Sequence, residues 1–274
     1  RHLSRRLRSR GREDEVAQQF GDVSVDLGDD FVAEVEIHRP PNNFFDATLI
    51  RSLADAYEDL AAGPCRAIVL CSEGKHFCAG ADFHDESDAE ALPEEGAASL
   101  YEEAVRLFRA PLPVVAAVQG AAIGGGLGVA CSADFRVAAP EARFAANFAR
   151  LGFHQGFGLS VTLPPVVGQQ FALELLYTGR RITGEEAFGR GLADRLADLP
   201  GLRPAARELA AEIAGSAPLA VRSIRQTMRG HLADEVARIT RREDAEQIRL
   251  RVTEDFAEGT RASLERRPAA FKGR

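Results

Sequence analysis

The stretch PVVAAVQGAAIGGGLGVAC, residues 113–131, decides the fold of this chain. It opens as a short apolar, β-branched run, which is typical of a buried strand, and it ends in small apolar residues that can continue as a buried helix. Between them, Gly124, Gly125 and Gly126 predict a turn whose N–H groups lie at the helix N-terminus, where the dipole favours negative charge. The pattern indicates either a tight bend between packed elements or a place where a ligand oxygen reaches bare amides.

A second stretch, KHFCAGADF at residues 75–83, repeats this arrangement. It follows another apolar run, residues 67–71, and places small residues immediately after the expected strand. Two strand ends that each carry free amides are the ingredients of an oxyanion hole, which stabilises negative charge on a carbonyl oxygen. The two stretches together favour the ligand interpretation over a simple bend.

The order and spacing of four segments resemble the crotonase (enoyl-CoA hydratase/isomerase) superfamily. These segments are FCAGAD at 77–82, PVVAAVQGAAIGGGLGVACSADFRVA at 113–138, LLYTGRRITGEEAFGRGLAD at 175–194 and RRPAAFKG at 266–273. The resemblance covers roughly residues 20–274. It implies an α/β fold, a crotonase-like repeated ββα spiral core with a helical C-terminal trimerisation region. We therefore expect a basic flexible arm or an added extension at 1–19, the spiral core with an acyl-CoA site at 20–200, and the helical region at 201–274.

Local patterns agree with strands that alternate with helices. Residues 23–37 read as a β-hairpin, Asp46 as a helix N-cap, and Thr183 as the start of a capping box. The acidic segment 84–99 is expected to be a mobile loop over the site. The remaining elements are expected as strands at 67–71, 134–138 and 142–146, and as helices at 98–109, 203–214, 218–229 and from 233 onward.

Composition narrows the class of protein. The formal net charge of −7 argues against nucleic-acid binding. No apolar run approaches the roughly 20 residues that span a bilayer. The four cysteines, Cys65, Cys71, Cys78 and Cys131, have neither CxxC nor Cys/His ligand spacing, which indicates reduced, buried side chains and no metal site. We therefore expect a cytoplasmic protein with no nucleic-acid or membrane partner.

The resemblance assigns the chemistry to the two glycine-containing turns. It implies that the amides of Ala81 and Gly125 bind the thioester oxygen of an acyl-CoA substrate and stabilise an enolate or a tetrahedral oxyanion. It also places Ala79, Asp82 and Phe83 along the CoA pocket. No cofactor is expected, because coenzyme A is part of the substrate.

The same resemblance implies self-association as a trimer or as a dimer of trimers. It places Lys272, in the tail motif, near the CoA phosphate or adenine across a subunit boundary. The alternative is that Lys272 is a solvated terminal lysine.

The chain departs from the superfamily's hydratases at the acid/base positions. Those enzymes carry one glutamate two positions after the triple glycine and another after the following hairpin. Here Gly128 and Phe148 occupy these positions, and neither side chain can move a proton. The sequence therefore predicts weak hydration of crotonyl-CoA. Non-standard isomerase, lyase, decarboxylase or hydrolase chemistry stays open, as does an acyl-CoA-binding homologue with little or no turnover.

Another group is needed if the protein is an enzyme. His154 lies on the turn where relatives with other chemistries place their working residue, and an imidazole there could act as acid or base. Gln155 is its rival, since it can orient water, and a structural role for His154 stays open. Asn147 and Phe148 are expected beside the acyl group. The remaining polar candidates are read as solvated charges or structural side chains: His84, Asp85, Glu86 and His76.

Overall fold

The computed structural model of this chain describes residues 17–82 and 94–274, with the side chains of the second range described from residue 100 onward. The strands are β1 (Gln18–Phe20), β2 (Val23–Leu27), β3 (Val32–Ile37), β4 (Ala67–Ser72), β5 (Val114–Val118), β6 (Ala121–Ile123), β7 (Phe135–Ala138), β8 (Arg143–Ala145), β9 (Ile182–Thr183) and β10 (Arg195–Leu196). The helices are α1 (Ala47–Ala62), α2 (Glu94–Arg109), α3 (Gly125–Ser132), α4 (Leu159–Val167), α5 (Gln169–Thr178), α6 (Gly184–Gly189), α7 (Leu202–Ala214), α8 (Pro218–Arg229), α9 (Leu232–Arg251) and α10 (Glu254–Leu264), with 3-10 turns at Asn147–Leu151 and Leu199–Gly201.

A sheet of seven strands, in the order β1-β2-β3-β4-β5-β7-β10, forms the centre of the molecule. Its first three strands pair antiparallel, and β3, β4, β5, β7 and β10 run parallel. A smaller sheet, β6-β8-β9, lies beside it. Strands alternating with crossover helices confirm the α/β expectation, and the chain ends in the expected helical region.

Both faces of the central sheet are covered, which explains the continuous apolar runs in β4 and β5. On one face, Leu202, Ala206, Ala210 and Ala214 of α7 recur every four residues and form a single buried stripe. The opposite face packs against α1 and α2. Every residue of β4 and β5 is buried in consequence.

Helix α2 begins earlier than the sequence pattern predicts. The expected loop at 84–99 and helix from 98 are wrong in part, because α2 starts at Glu94. Two acidic residues, Glu94 and Glu95, follow Pro93 in the sequence, a combination that favours a helix N-terminus. The rest of the expected loop, residues 84–93, lies outside the described residues.

Asn43 holds in place, by hydrogen bonds, the segment that leads to the glycine-containing turn at residues 77–82. Its side chain is fully buried and donates hydrogen bonds to the carbonyls of Glu73 (2.8 Å) and His76 (2.6 Å). Its Oδ1 accepts one from the amide of Arg39 at 2.9 Å. A φ of +50° suits asparagine better than most residues. One side chain therefore satisfies three backbone groups.

We expect Asn43→Ala to lower the free energy of unfolding by about 3 kcal/mol, because it leaves buried backbone groups without partners. Urea unfolding of the variant measures the change. Asn42→Ala is the matched control, since no hydrogen bond of the Asn42 side chain is present among the described residues. Equal stability of the two variants would contradict the role given to Asn43.

Candidate active site

The two glycine-containing turns of the sequence lie side by side. The amide of Cys78 donates to the carbonyl of Ala121 at 2.9 Å, and the amide of Ile123 donates back to Cys78 at 3.1 Å. The next residue, Ala79, donates to Asn42 at 2.9 Å. The segment 77–82 thus runs along β6, which leads through Gly124 into α3.

The close approach of these segments requires a glycine. A Cβ built on Gly126 would lie 2.1 Å from the carbonyl oxygen of Cys78. No side chain fits there without moving backbone, so the first turn of α3 can press against the segment 77–82 only because this residue is glycine.

A cavity of about 470 Å³ opens beside the two turns, and both Ala81 and Gly125 line it. Neither amide donates a hydrogen bond to any residue that the structure describes. The amide of Gly125 also begins α3, where the helix dipole adds positive potential. The wall therefore presents two N–H groups without acceptors to whatever fills the cavity.

The structure brings some of the other expected site residues to this cavity. Ala79, Asp82, Asn147 and Phe148 line it together with the two turns. Phe83 lies outside the described residues. Lys272 is exposed and is not part of the described cavity wall; its Nζ lies 3.5 Å from Oε2 of Glu254.

His154 and Gln155 are half-buried next to the cavity and are absent from its described wall. Nδ1 of His154 lies 2.8 Å from the carbonyl oxygen of Gln155, and Nε2 of Gln155 donates to Ser160 at 3.0 Å. It is the backbone of the next residue, Gly156, that reaches the cavity. The acid/base role of either side chain stays a prediction.

Helix α9 supplies three side chains that the sequence analysis missed: Glu243, Gln247 and Arg251. They follow one another at intervals of four residues, so they share one helix face. That spacing was the available signal, but it lies within a long charged segment in which a solvated face is the usual interpretation. Gln247 and Arg251 line the cavity, as does Tyr101 of α2.

Tyr101 and Glu243 fix the turn at 152–160. The Tyr101 hydroxyl donates to Oε1 of Gln247 at 2.9 Å, and Nε2 of Gln247 donates to the carbonyl of His154 at 3.0 Å. The carboxylate of Glu243 accepts from the amide of Gly158 at 2.8 Å and from the Ser160 hydroxyl at 2.6 Å. Burial raises the pKa of Glu243. It also raises the pKa of Tyr101, which therefore keeps its proton at neutral pH.

Two other reactive groups are accounted for. Burial raises the pKa of the Cys78 thiol to about 12, so this cysteine is not a thiolate at neutral pH. Glu34, Glu36 and Cys71 form one cluster of possible metal ligands among the described residues, but Arg203 contacts both carboxylates. An arginine in that position supplies the positive charge that a metal would bring.

Phe157 fills the space where a side chain at position 128 would project. A Cβ on Gly128 would lie 2.6 Å from Cβ of Phe157, and the Phe157 ring packs edge-on against Phe45 with centroids 5.6 Å apart. Phe148, at the second acid/base position, packs against Phe153 at 5.5 Å. Aromatic rings therefore occupy this side of the cavity.

Fold and site together define an α/β protein with two acceptor-free amides at adjoining turns beside a deep cavity. The family model described as enoyl-CoA hydratase/isomerase matches residues 28–274. The chain belongs to this family, and so to the crotonase superfamily.

Similar proteins agree with this assignment. A carnitinyl-CoA dehydratase from Proteus mirabilis is 33% identical, over 89% of this chain and 95% of its own length. A crystal structure of an enoyl-CoA hydratase/isomerase from Pseudoalteromonas atlantica has a TM-score of 0.82 at 30% identity, covering 92% of this chain and 100% of that one. An enoyl-CoA hydratase from Mycobacterium avium subsp. paratuberculosis has a TM-score of 0.79 at 25% identity, covering 93% and 100%. In the described part of the chain, no helix is both long and apolar enough to cross a membrane.

We expect Gly128→Ala to destabilise the protein by roughly 1–3 kcal/mol, the usual cost of overpacking, because Cβ of Phe157 cannot swing aside as a side-chain tip can. Urea unfolding measures the change. Gly189→Ala is the matched control, since a Cβ at this helical glycine meets nothing within 4 Å. The interpretation fails if both variants are equally stable.

Proposed function

We propose that this protein binds an acyl-CoA with its thioester oxygen between the amides of Ala81 and Gly125. The observation that carries the proposal is the pair of acceptor-free amides on one cavity wall. Two donors aimed at a thioester oxygen stabilise the negative charge that develops there in an enolate or a tetrahedral intermediate. Backbone amides provide this stabilisation without any proton transfer of their own.

The proposed CoA end of the site is the part of the cavity near the small sheet. Arg143 of β8 and Arg181, directly before β9, are exposed and line the cavity. Guanidinium groups suit phosphate oxygens well, because they can donate two parallel hydrogen bonds. Ala79 and Asp82 lie on the adjoining turn. Lys272 of a neighbouring copy is proposed as a further phosphate or adenine contact.

The proposed reaction is not hydration by two carboxylates. Gly128 and Phe148 remove both side chains, and Phe157 occupies the space above Gly128. The relatives named hydratase and dehydratase support lyase-type chemistry on an acyl-CoA. Isomerase, decarboxylase and hydrolase chemistry use the same oxyanion stabilisation and stay within the proposal.

A second candidate function is acyl-CoA binding with little or no turnover. It is favoured because the carboxylates on the described cavity wall already interact with other groups of the protein. Asp46 accepts from the amide of Leu49 at 2.7 Å and pairs with Arg39 at 3.0 Å, while Asp82 has an interaction of its own. Turnover measured on a panel of acyl-CoA esters separates the two functions, whereas binding alone does not.

Self-association as a trimer or a dimer of trimers is also proposed. Its support is the exposure of large apolar side chains on α8, where Leu219 is 81%, Ile224 63% and Met228 69% exposed. Apolar side chains grouped on one exposed helix commonly mark an interaction surface.

We expect Ala81→Pro to lower kcat by roughly 10²–10³, the usual effect of removing one oxyanion-hole donor. Ala81→Gly is the control, because it keeps the N–H group and should retain most of the activity. Steady-state kinetics on the ester that is turned over fastest measure both. Undiminished turnover in Ala81→Pro, in a protein with a normal circular-dichroism spectrum, would contradict the proposed site.

Proton transfer is expected to involve Tyr101, which lines the cavity and keeps its proton at neutral pH because burial raises its pKa. Tyr101→Phe should lower kcat by roughly 10²–10⁴, the range of a general acid or base. His154→Gln tests the alternative that the sequence predicts, in which the imidazole is the acid or base.

The pH dependence of kcat separates the candidates. A large loss in His154→Gln, together with loss of a limb near neutral pH, would return the acid/base role to His154. A loss confined to Gln155→Ala would indicate positioning of water by that side chain.

A further inference from the structure

Arg251 places a cation in the cavity wall without a hydrogen-bond partner. It is the last residue of α9, and its Nε is buried and makes no hydrogen bond within the described structure. Its guanidinium carbon lies 5.8 Å from the ring centroid of Phe153, a further lining residue. The aromatic ring offers a weak attraction and no hydrogen-bond acceptor.

Arg251 is half-buried, and a partly desolvated cation of this kind costs free energy unless an anion compensates it. Burial lowers the pKa of Arg251, although a guanidinium stays charged in proteins. Asp244 is the nearby carboxylate on the same helix, but its Oδ1 is also buried without a hydrogen bond. Of its five N–H donors, the one on Nε is buried without an acceptor, and the other four make no hydrogen bond to a residue that the structure describes.

Arg251 differs in this respect from the other arginines of the described cavity wall. Arg143, Arg181 and Arg266 are exposed, so water solvates them when the site is empty. Phosphates, which remain partly solvated, suit these exposed positions. The half-buried guanidinium of Arg251 suits an anion that enters the cavity itself. The neighbouring side chains of Tyr101 and Gln247 are already hydrogen-bonded to each other.

We propose that the acyl group of the substrate ends in a carboxylate and that Arg251 binds it. The substrate class is then a CoA half-ester of a dicarboxylic acid, with the thioester at the two amides and the free carboxylate at the guanidinium. The inference rests on the proposed function, because it uses the same cavity. A carboxylate matches the planar guanidinium through two parallel hydrogen bonds and supplies the acceptors that Asp244 does not.

The test compares two series of non-reacting ligands by isothermal titration calorimetry on the full-length protein in its own oligomeric state. Both are CoA analogues in which a methylene replaces the thioester sulfur, so that the carbonyl is kept. One series ends in a carboxylate and the other, of the same three to six carbons, in a methyl group. We expect the best carboxylate ligand to bind about tenfold tighter or more than its methyl partner, as befits a charge-assisted hydrogen-bonded pair.

Variants of α9 locate the effect. Arg251→Gln should abolish the preference for the carboxylate series while leaving the affinity for the methyl series nearly unchanged. Arg251→Lys should keep part of the preference, because the charge remains without the planar fork. Arg249→Gln is the matched control: it removes an exposed arginine two residues away that pairs with Glu246.

Three results would overturn the inference. Equal affinity of the unmodified protein for the two series would exclude a substrate with a terminal carboxylate. This result does not depend on the folding of any variant. An equal loss of affinity for every ligand and for free CoA in Arg251→Gln would place the guanidinium at the CoA phosphates. A changed oligomer size of Arg251→Gln in sedimentation, with the ligand preference intact, would show that the cation meets a neighbouring copy.

A different result would contradict the proposed function. If the methyl-ended ketones bind no tighter than CoA thioethers that lack the carbonyl, the two amides do not bind the oxygen. The carboxylate preference is measured within the ketone series and does not depend on that comparison.

Discussion

The close approach of α3 to the carbonyl of Cys78 is the constraint on which the site depends. With 2.1 Å between that oxygen and the position of a Cβ at Gly126, the helix can begin here only on a bare backbone. Because Cys78 is also bonded to both Ala121 and Ile123, the two turns form one rigid unit. The amides of Ala81 and Gly125 are therefore positioned by main-chain hydrogen bonds and packing, which is the kind of preorganisation that electrostatic catalysis requires.

Packing also limits what can stand at position 128, where the resemblance to the hydratases places a glutamate in those enzymes. At position 128 a glycine faces Cβ of Phe157 at a distance that leaves no room for another side chain. Phe157 holds a φ of +60° and is almost fully buried, so the turn that carries it is shaped to deliver the ring. A carboxylate in this place would have to displace an aromatic contact and would lose solvation. The glycine at position 128 and the position of the Phe157 ring are thus structurally linked.

The sequence predicts those features of the structure that depend on local backbone conformation and close backbone packing. Strand-like apolar runs that end in glycines and alanines predict β4, β5 and the two turns, because buried parallel strands and close backbone approach leave direct signatures. The cap residues Asp46 and Thr183 were found for the same reason.

The part of the cavity wall that α2 and α9 form could not be predicted from the sequence in this way. Tyr101 and Gln247 lie 146 positions apart and meet only through tertiary packing of α2 on α9. Within α9, the residues that face the cavity are as polar as those that face water, so binary patterning cannot separate the two faces.

Two features of this cavity make different demands on a ligand. Backbone amides donate equally well to the carbonyl oxygen of any thioester, so they contribute little to the choice of acyl group. The half-buried guanidinium of Arg251 is selective, because an acyl group without an anion removes the remaining water from the cation and supplies no acceptor in its place. Rejection of the neutral acyl group then follows from the missing partner, without any steric clash. In the proposed complex, the two amide-bearing turns therefore select the class of ester, and α9 selects the member of that class.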